Sequence, residues 1–146
     1  MLIGPYTFDG INPLAVLVAA ISTMVVGFVW YAILFRRPWI RLMGYDPDDK
    51  AKLSQMRRGA GKSYALTFLA AVVSAVVLAK IIDVTTVNSV FYGMKIGFAV
   101  WLGFVTTVQL TGALFAKQSA KLYLINTGYQ LVCFLVMGGI LAKWPH

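Results

Sequence analysis

At 146 residues the chain is long enough for one domain, yet 60% of its residues are hydrophobic and only 12% are charged, about half the charged fraction that a water-facing surface carries. This composition excludes a soluble globular domain. The formal net charge of +8 indicates membrane topology and contact with anionic lipid headgroups, and it does not favour nucleic-acid binding, because the basic residues lie close to apolar segments.

Four long apolar runs occupy most of the chain, at residues 14–35, 63–82, 96–115 and 122–141. Each approaches or exceeds the length of about 20 residues that a helix needs to cross the hydrocarbon core. They predict an all-α fold: an integral membrane bundle of four transmembrane helices that forms a single domain over residues 1–146. The residues before the first run lack the basic start of a signal peptide, so we expect the first helix to be retained.

The connection after the first run, residues 36–62, predicts a short cytoplasmic helix. Asp46 is placed as its N-cap with Pro47 at the first helical position, and Arg57 and Arg58 fall in its last turn before Gly59. We expect this helix to be interfacial, lying along the headgroup layer. Six basic side chains here are predicted to contact anionic lipid headgroups or a partner: Arg36, Arg37, Arg41, Arg57, Arg58 and Lys62.

Lysine and arginine are unevenly divided between the two ends of the predicted bundle. The connection holds eight of them, and the turn between the third and fourth helices adds Lys117 and Lys121, whereas the opposite end has Lys80, Lys95 and Lys143. The positive-inside rule therefore predicts a multi-pass protein of the cell (inner) membrane, with the connection in the cytoplasm and both termini outside.

Polar side chains of the spans concentrate in the cytoplasmic leaflet. On the fourth helix, Tyr123, Asn126, Gln130 and Cys133 recur at helical spacing and form one stripe. Hydrogen bonds between helices would explain this stripe, and the alternative is a neutral pocket for a small amphiphile or a lipid headgroup. The pocket candidates at this depth are Trp30, Tyr31, Tyr64, Thr67, Thr106, Gln109, Tyr123, Asn126, Tyr129 and Gln130.

Spacing within the spans carries two further signals. Small residues four apart predict close approach of helices; the pairs are Ala15 with Ala19, Ala71 with Ala75, and Gly93 with Gly97. The first and third helices also share a Gly followed shortly by a Trp, Gly27 to Trp30 and Gly97 to Trp101. Such matches are typical of a duplicated helical hairpin, and they also arise by chance in low-complexity membrane sequences.

The reactive side chains argue against catalysis and against ion-coupled transport. The chain has no Glu, and its acids lie in the tail or in connections: Asp9, Asp46, Asp48, Asp49 and Asp83. Coupled transporters usually use a carboxylate within the membrane. The only His is the last residue, and the single Cys133 has no partner for a disulfide. We therefore expect no enzyme activity, no metal and no cofactor. A passive pore formed by oligomerisation remains an alternative function.

Several strings along the chain, taken in order, resemble the small bacterial membrane family known as domain of unknown function 1761. They are 12–20, Trp30-Tyr31 with Pro38-Trp39, 62–69, 101–104, 124–129 and 137–141. The resemblance covers nearly the whole chain. It implies a four-helix membrane protein without an assigned activity, so no catalytic residue is carried over. This chain has Gln130 where members of the family often have His after the Gly-Tyr pair.

Two functions remain for such a chain. The first is a non-catalytic accessory or scaffold component of a membrane assembly, either a homo-oligomer or a subunit of a larger complex. The alternative is a facilitator, or a protein that binds a lipid or a small amphiphile in the neutral polar pocket.

Overall fold

The computed structural model describes residues 10–144, which are helical and contain no strand. Four helices are long and apolar enough to cross a membrane: Pro13–Leu34, Ala60–Val84, Val90–Phe115 and Ala120–Lys143. The four predicted spans are confirmed, and the chain is a multi-pass helical membrane protein. The third span starts at Val90 rather than at 96, because Lys95 is accommodated within the helix. The Lys95 Nζ lies 4.6 Å from the centroid of the Phe91 ring.

Two of the spans contain a π-helical segment. The first consists of α1 (Pro13–Gly27) and the segment Phe28–Leu34, and the third of α5 (Val90–Val100), the segment Trp101–Val105 and α6 (Thr106–Phe115). The connection holds α2 (Arg36–Leu42) and α3 (Lys50–Met56), and the other spans are α4 (Ala60–Val84) and α7 (Ala120–Lys143). Single-turn π bulges are rare in proteins, and those that occur are often at functional sites. The two segments therefore direct attention to the residues around them.

The fourth span, α7, is the centre of the bundle. It packs against α1, α4 and α5, and it has the largest buried share of the four spans. Its Phe134, Met137 and Leu141 join a buried apolar cluster. Ala19 of α1 and Ala75 of α4 are fully buried in the bundle, as their small-residue spacing predicts, because a small side chain lets two backbones approach.

The closest approach joins α5 to α7. A Cβ built on Gly93 would overlap the carbonyl oxygen of Gly138, and one on Gly97 would overlap the carbonyl oxygen of Phe134. Both glycines are buried. Only glycine fits at these two positions, so the predicted close approach at Gly93 and Gly97 is confirmed.

The connection differs in detail from the prediction. A short helix is present, but Asp49 caps it by accepting a hydrogen bond from the Lys52 N–H at 3.2 Å, so the assignment of Asp46 as the N-cap is wrong. Asp46 instead accepts from the Asp48 N–H at 2.9 Å and closes a turn that contains Pro47. Because that turn takes up residues 46–49, α3 is short, and both Arg57 and Arg58 lie beyond its last residue, Met56.

The two ends of the bundle differ in the helices and turns that they hold. The basic end holds α2, α3 and the turn at residues 116–119 between α6 and α7. The terminal end holds residues 10–12, the turn at residues 85–89 between α4 and α5, and Trp144.

Candidate functional site

The first π-helical segment directs two aromatic side chains against α7 in the half of the bundle nearest the basic end. Trp30 Nε1 donates to the backbone oxygen of Ile125 at 2.9 Å. The Tyr31 hydroxyl donates to Asn126 Oδ1 at 2.8 Å. Consecutive residues of the first span thus bond to consecutive residues of α7, which fixes both the depth and the rotation of one helix relative to the other.

Two glycines make room for this contact from opposite sides. A Cβ on Gly128 would lie 3.1 Å from the Trp30 ring, and a Cβ on Gly27 would lie 3.2 Å from the Tyr129 hydroxyl oxygen. That hydroxyl donates to the backbone oxygen of Thr23 at 3.0 Å. Each helix therefore supplies a glycine on which an aromatic side chain of the other helix packs.

The third span bonds to α7 in a related way. Trp101 Nε1, at the start of the second π-helical segment, donates to the backbone oxygen of Thr127 at 2.9 Å. The Thr127 hydroxyl donates to Thr106 Oγ1 at 2.8 Å, and the Tyr123 hydroxyl donates to the backbone oxygen of Thr106 at 3.0 Å. Hydroxyl groups of α6 and α7 therefore bond to each other and leave few polar atoms facing hydrocarbon.

We call these side chains together the α7 polar cluster: Trp30, Tyr31, Trp101, Thr106, Tyr123, Asn126, Thr127 and Tyr129. Six of its members belong to the ten pocket candidates. Trp101 and Thr127 are not among the ten predicted candidates, although both lie in the strings that resemble the family. Trp101 carried a usable signal, since it follows Gly97 by four residues much as Trp30 follows Gly27 by three.

Four of the ten candidates lie outside the cluster. Tyr64 and Thr67 are exposed on α4 and are not brought to it. Gln109 and Gln130 are half-buried on α6 and α7. Gln109 Oε1 is buried and has no hydrogen-bond partner among the described residues.

The basic side chains of the connection are mostly exposed. Arg37 pairs with Asp48, with both nitrogen–oxygen distances at 3.3 Å, and this pair ties α2 to the turn before α3. Arg36 is half-buried. The remaining members of the predicted set are exposed, namely Arg41, Arg57, Arg58 and Lys62.

The arrangement bonds helices together and offers little for catalysis. Four of its donors, on Trp30, Trp101, Tyr123 and Tyr129, end on backbone oxygens of another span, which is typical of hydrogen bonds that hold helices in register within hydrocarbon. Between residues 10 and 144, no group of three His, Cys, Asp or Glu side chains is arranged to hold a metal ion. The lone thiol, Cys133, is buried.

Two cavities lie toward the terminal end rather than in the α7 polar cluster. One, of about 220 Å³, lies between the start of α1 and the last turns of α4 and α7. Asn12, Asp83 and Trp144 contribute to its wall. Asp83 is paired with Lys80 at 3.3 Å. The other is an apolar groove of about 470 Å³ on the surface of α7.

Comparison with known proteins places the chain in a family. Residues 14–142 match the family model described as "Protein of unknown function (DUF1761)", and the chain belongs to this family. No curated protein matches the chain. No solved structure matches it either.

Proposed function

We propose that this member of the DUF1761 family is a non-catalytic accessory or scaffold subunit of a membrane assembly. One observation carries the proposal. In the half of α4 nearest the basic end, every residue from Gly61 to Ala70 is exposed except Phe68, which is half-buried. The other half of the same helix is packed in the core through Ala75, Leu78 and Ile82.

The residues of this exposed half are of the kind that contact another helix. Gly61 and Ala65 form a small pair at a spacing of four, and Ser63 and Thr67 place two hydroxyl groups at the same spacing. Small residues and hydroxyls are enriched where transmembrane helices contact one another, because they allow close approach and hydrogen bonds across the contact. The two pairs lie about 200° apart around α4, so we assign the face that carries Gly61 and Ala65 to the contact with a second transmembrane helix.

Charge next to this surface supports the same assignment. Arg57, Arg58 and Lys62 are exposed at or just before the start of α4. Basic side chains at this level attract anionic headgroups with about 1 kcal/mol each, and they have the charge that complements acidic residues of a partner. The asymmetry of Lys and Arg favours a cytoplasmic location for this end, with both termini outside, in the cell (inner) membrane.

The test is native mass spectrometry of the protein released gently from its own membrane. We expect an assembly, with a second copy or with another protein, and we expect Ala65→Trp to dissociate it by placing bulk in the contact. Val108→Trp is the matched control, because Val108 is 69% exposed on α6 and lies outside residues 61–70. A wild-type spectrum that contains the monomer alone would contradict the proposal.

Gln109 favours a second candidate function, the binding of a small amphiphile or lipid headgroup near the basic end. Its buried Oε1 has no hydrogen-bond partner within residues 10–144. Leaving such an acceptor unpaired costs about 1–3 kcal/mol, which a ligand O–H or N–H would recover. Replacing Gln109 by Leu separates the two functions, because it removes the buried acceptor and leaves the hydrogen bonds of the α7 polar cluster in place. A binding protein would lose a small molecule that co-purifies in fixed ratio, whereas an accessory subunit would show no change in any retained molecule.

A further inference from the structure

We infer that the apolar groove near the terminal end holds one acyl chain of an anionic phospholipid, with the lipid phosphate at Lys143. This site is distinct from the α7 polar cluster and lies toward the opposite end of the bundle. It does not depend on the accessory function proposed above.

The groove exists because two helices flank α7 without packing on each other. α1 and α5 each pack along α7, and the two of them scarcely touch. Val18 on α1 and Met94 on α5 form its two sides, and Val136 and Gly139 of α7 form its floor. Within a bilayer such a crevice is filled by lipid, since an empty space would forfeit the dispersion contacts of its walls.

The depth of the groove matches one leaflet. Its lining on α7 runs from Leu135 to Lys143, which is about 12 Å at a rise of 1.5 Å per residue. Half of the hydrocarbon core is about 15 Å. The groove therefore extends from the level of the headgroups to near the bilayer midplane, as an acyl chain does.

The chemistry of the two ends of the groove indicates the headgroup. Among the described residues that line it, Lys143 is the only charged one, and it lies at the outer end beside Trp144. Tryptophan is enriched at the headgroup level, and a lysine there places its ammonium where a lipid phosphate lies. The remaining lining residues are apolar, so they accept a hydrocarbon chain and offer nothing to a polar solute.

The experiment uses the full chain in nanodiscs that contain equal amounts of phosphatidylglycerol and phosphatidylcholine with identical acyl chains. Native mass spectrometry then measures which lipid stays bound. We expect wild type to retain one phosphatidylglycerol in preference. We expect Lys143→Gln to lower the preference about fivefold, the change in an equilibrium constant that one lysine near a membrane surface supplies.

Two matched variants keep the test decisive. Lys95→Gln removes a charge from the same end of the bundle, where Lys95 lies over the Phe91 ring and outside the groove; it should retain the wild-type preference. Val136→Phe fills the floor and should reduce the retained lipid of either kind, whereas Val108→Phe on the exposed face of α6 should not. Equal retention of both lipids by wild type, equal effects of the two lysine variants, or undiminished lipid on Val136→Phe would each overturn the inference.

Discussion

Replacing Gly97 by Ala tests the closest contact in the bundle. A Cβ at this position would overlap the backbone oxygen of Phe134, and a backbone atom cannot turn aside as a flexible side chain can. Overpacking of this kind costs about 1–3 kcal/mol. We expect Gly97→Ala to lower the free energy of unfolding by about 2–3 kcal/mol, because α5 and α7 must move apart along a contact that also includes Gly93 and Gly138.

The control for this prediction is Gly112→Ala in the same span. A Cβ at Gly112 would meet no atom within 4 Å beyond its own helical backbone and chain neighbours, so only helix propensity changes, by at most about 1 kcal/mol in the stabilising direction. The assay is reversible unfolding in mixed micelles by added sodium dodecyl sulfate, followed by tryptophan fluorescence. If the two variants unfold within about 0.5 kcal/mol of each other, a typical error of additivity, the close approach of α5 and α7 is refuted.

The same unfolding assay checks two further predictions, and amide hydrogen exchange checks a third. A double-mutant cycle with Tyr31→Phe and Asn126→Leu should give a coupling free energy of about 0.6–1.7 kcal/mol, the range for hydrogen bonds between membrane helices. A coupling of zero would show that the Tyr31–Asn126 hydrogen bond does not contribute to stability. Trp30→Phe and Trp101→Phe should each cost about 1–2 kcal/mol through loss of the indole N–H and of ring area; an unchanged stability for either would show that its bond to α7 is not formed. Asp49→Ala should loosen α3 by about 0.5–2 kcal/mol, measured as faster amide hydrogen exchange in residues 50–56, and protection equal to wild type would contradict its place as the N-cap.

The spans could be predicted because hydropathy is a local property of the chain. Their ends were less certain where a charged residue lies within the helix. Lys95 marked the predicted start of the third span, yet its ammonium lies over the Phe91 ring and the helix begins at Val90. The N-cap of α3 is a second example. Asp46 and Asp49 are both good capping residues, but the Asp46 side chain accepts from the Asp48 N–H within a turn, and Asp49 caps the helix.

The depth of polar residues could be predicted, but their direction around each helix could not. Six of the ten pocket candidates meet in the α7 polar cluster, since residues at equal depth on neighbouring helices lie close together. Tyr64 and Thr67 have a matching depth and lie apart from the cluster, because the half of α4 that carries them does not pack against α7. A sequence gives the rise along a helix but not which neighbour each half of it contacts.

The glycines of α7 became interpretable only through their partners. Gly138 faces Gly93, and a Cβ on Gly139 would come within 3.3 Å of the Val90 side chain. Gly128 lies under the Trp30 ring. No single helix contains the reason for these residues, since each one is explained by a residue on another span.

The two tryptophans show how α7 can be held from both flanks while its side chains stay available for other bonds. Trp30 and Trp101 donate to the backbone oxygens of Ile125 and Thr127, which are two residues apart and so lie about 200° apart around the helix. A carbonyl oxygen has two lone pairs, so each can accept an indole N–H in addition to its helical bond. Because the indoles use only the backbone of α7, Asn126 remains free to accept from Tyr31. Trp30 lies within the first π-helical segment, and Trp101 begins the second. Trp30 follows Gly27, which packs against the Tyr129 side chain, and Trp101 follows Gly97, which packs against the α7 backbone. The interval from glycine to tryptophan is three residues in the first span and four in the third, so the two contacts share their chemistry, an indole N–H bonded to the α7 backbone, and not an identical spacing.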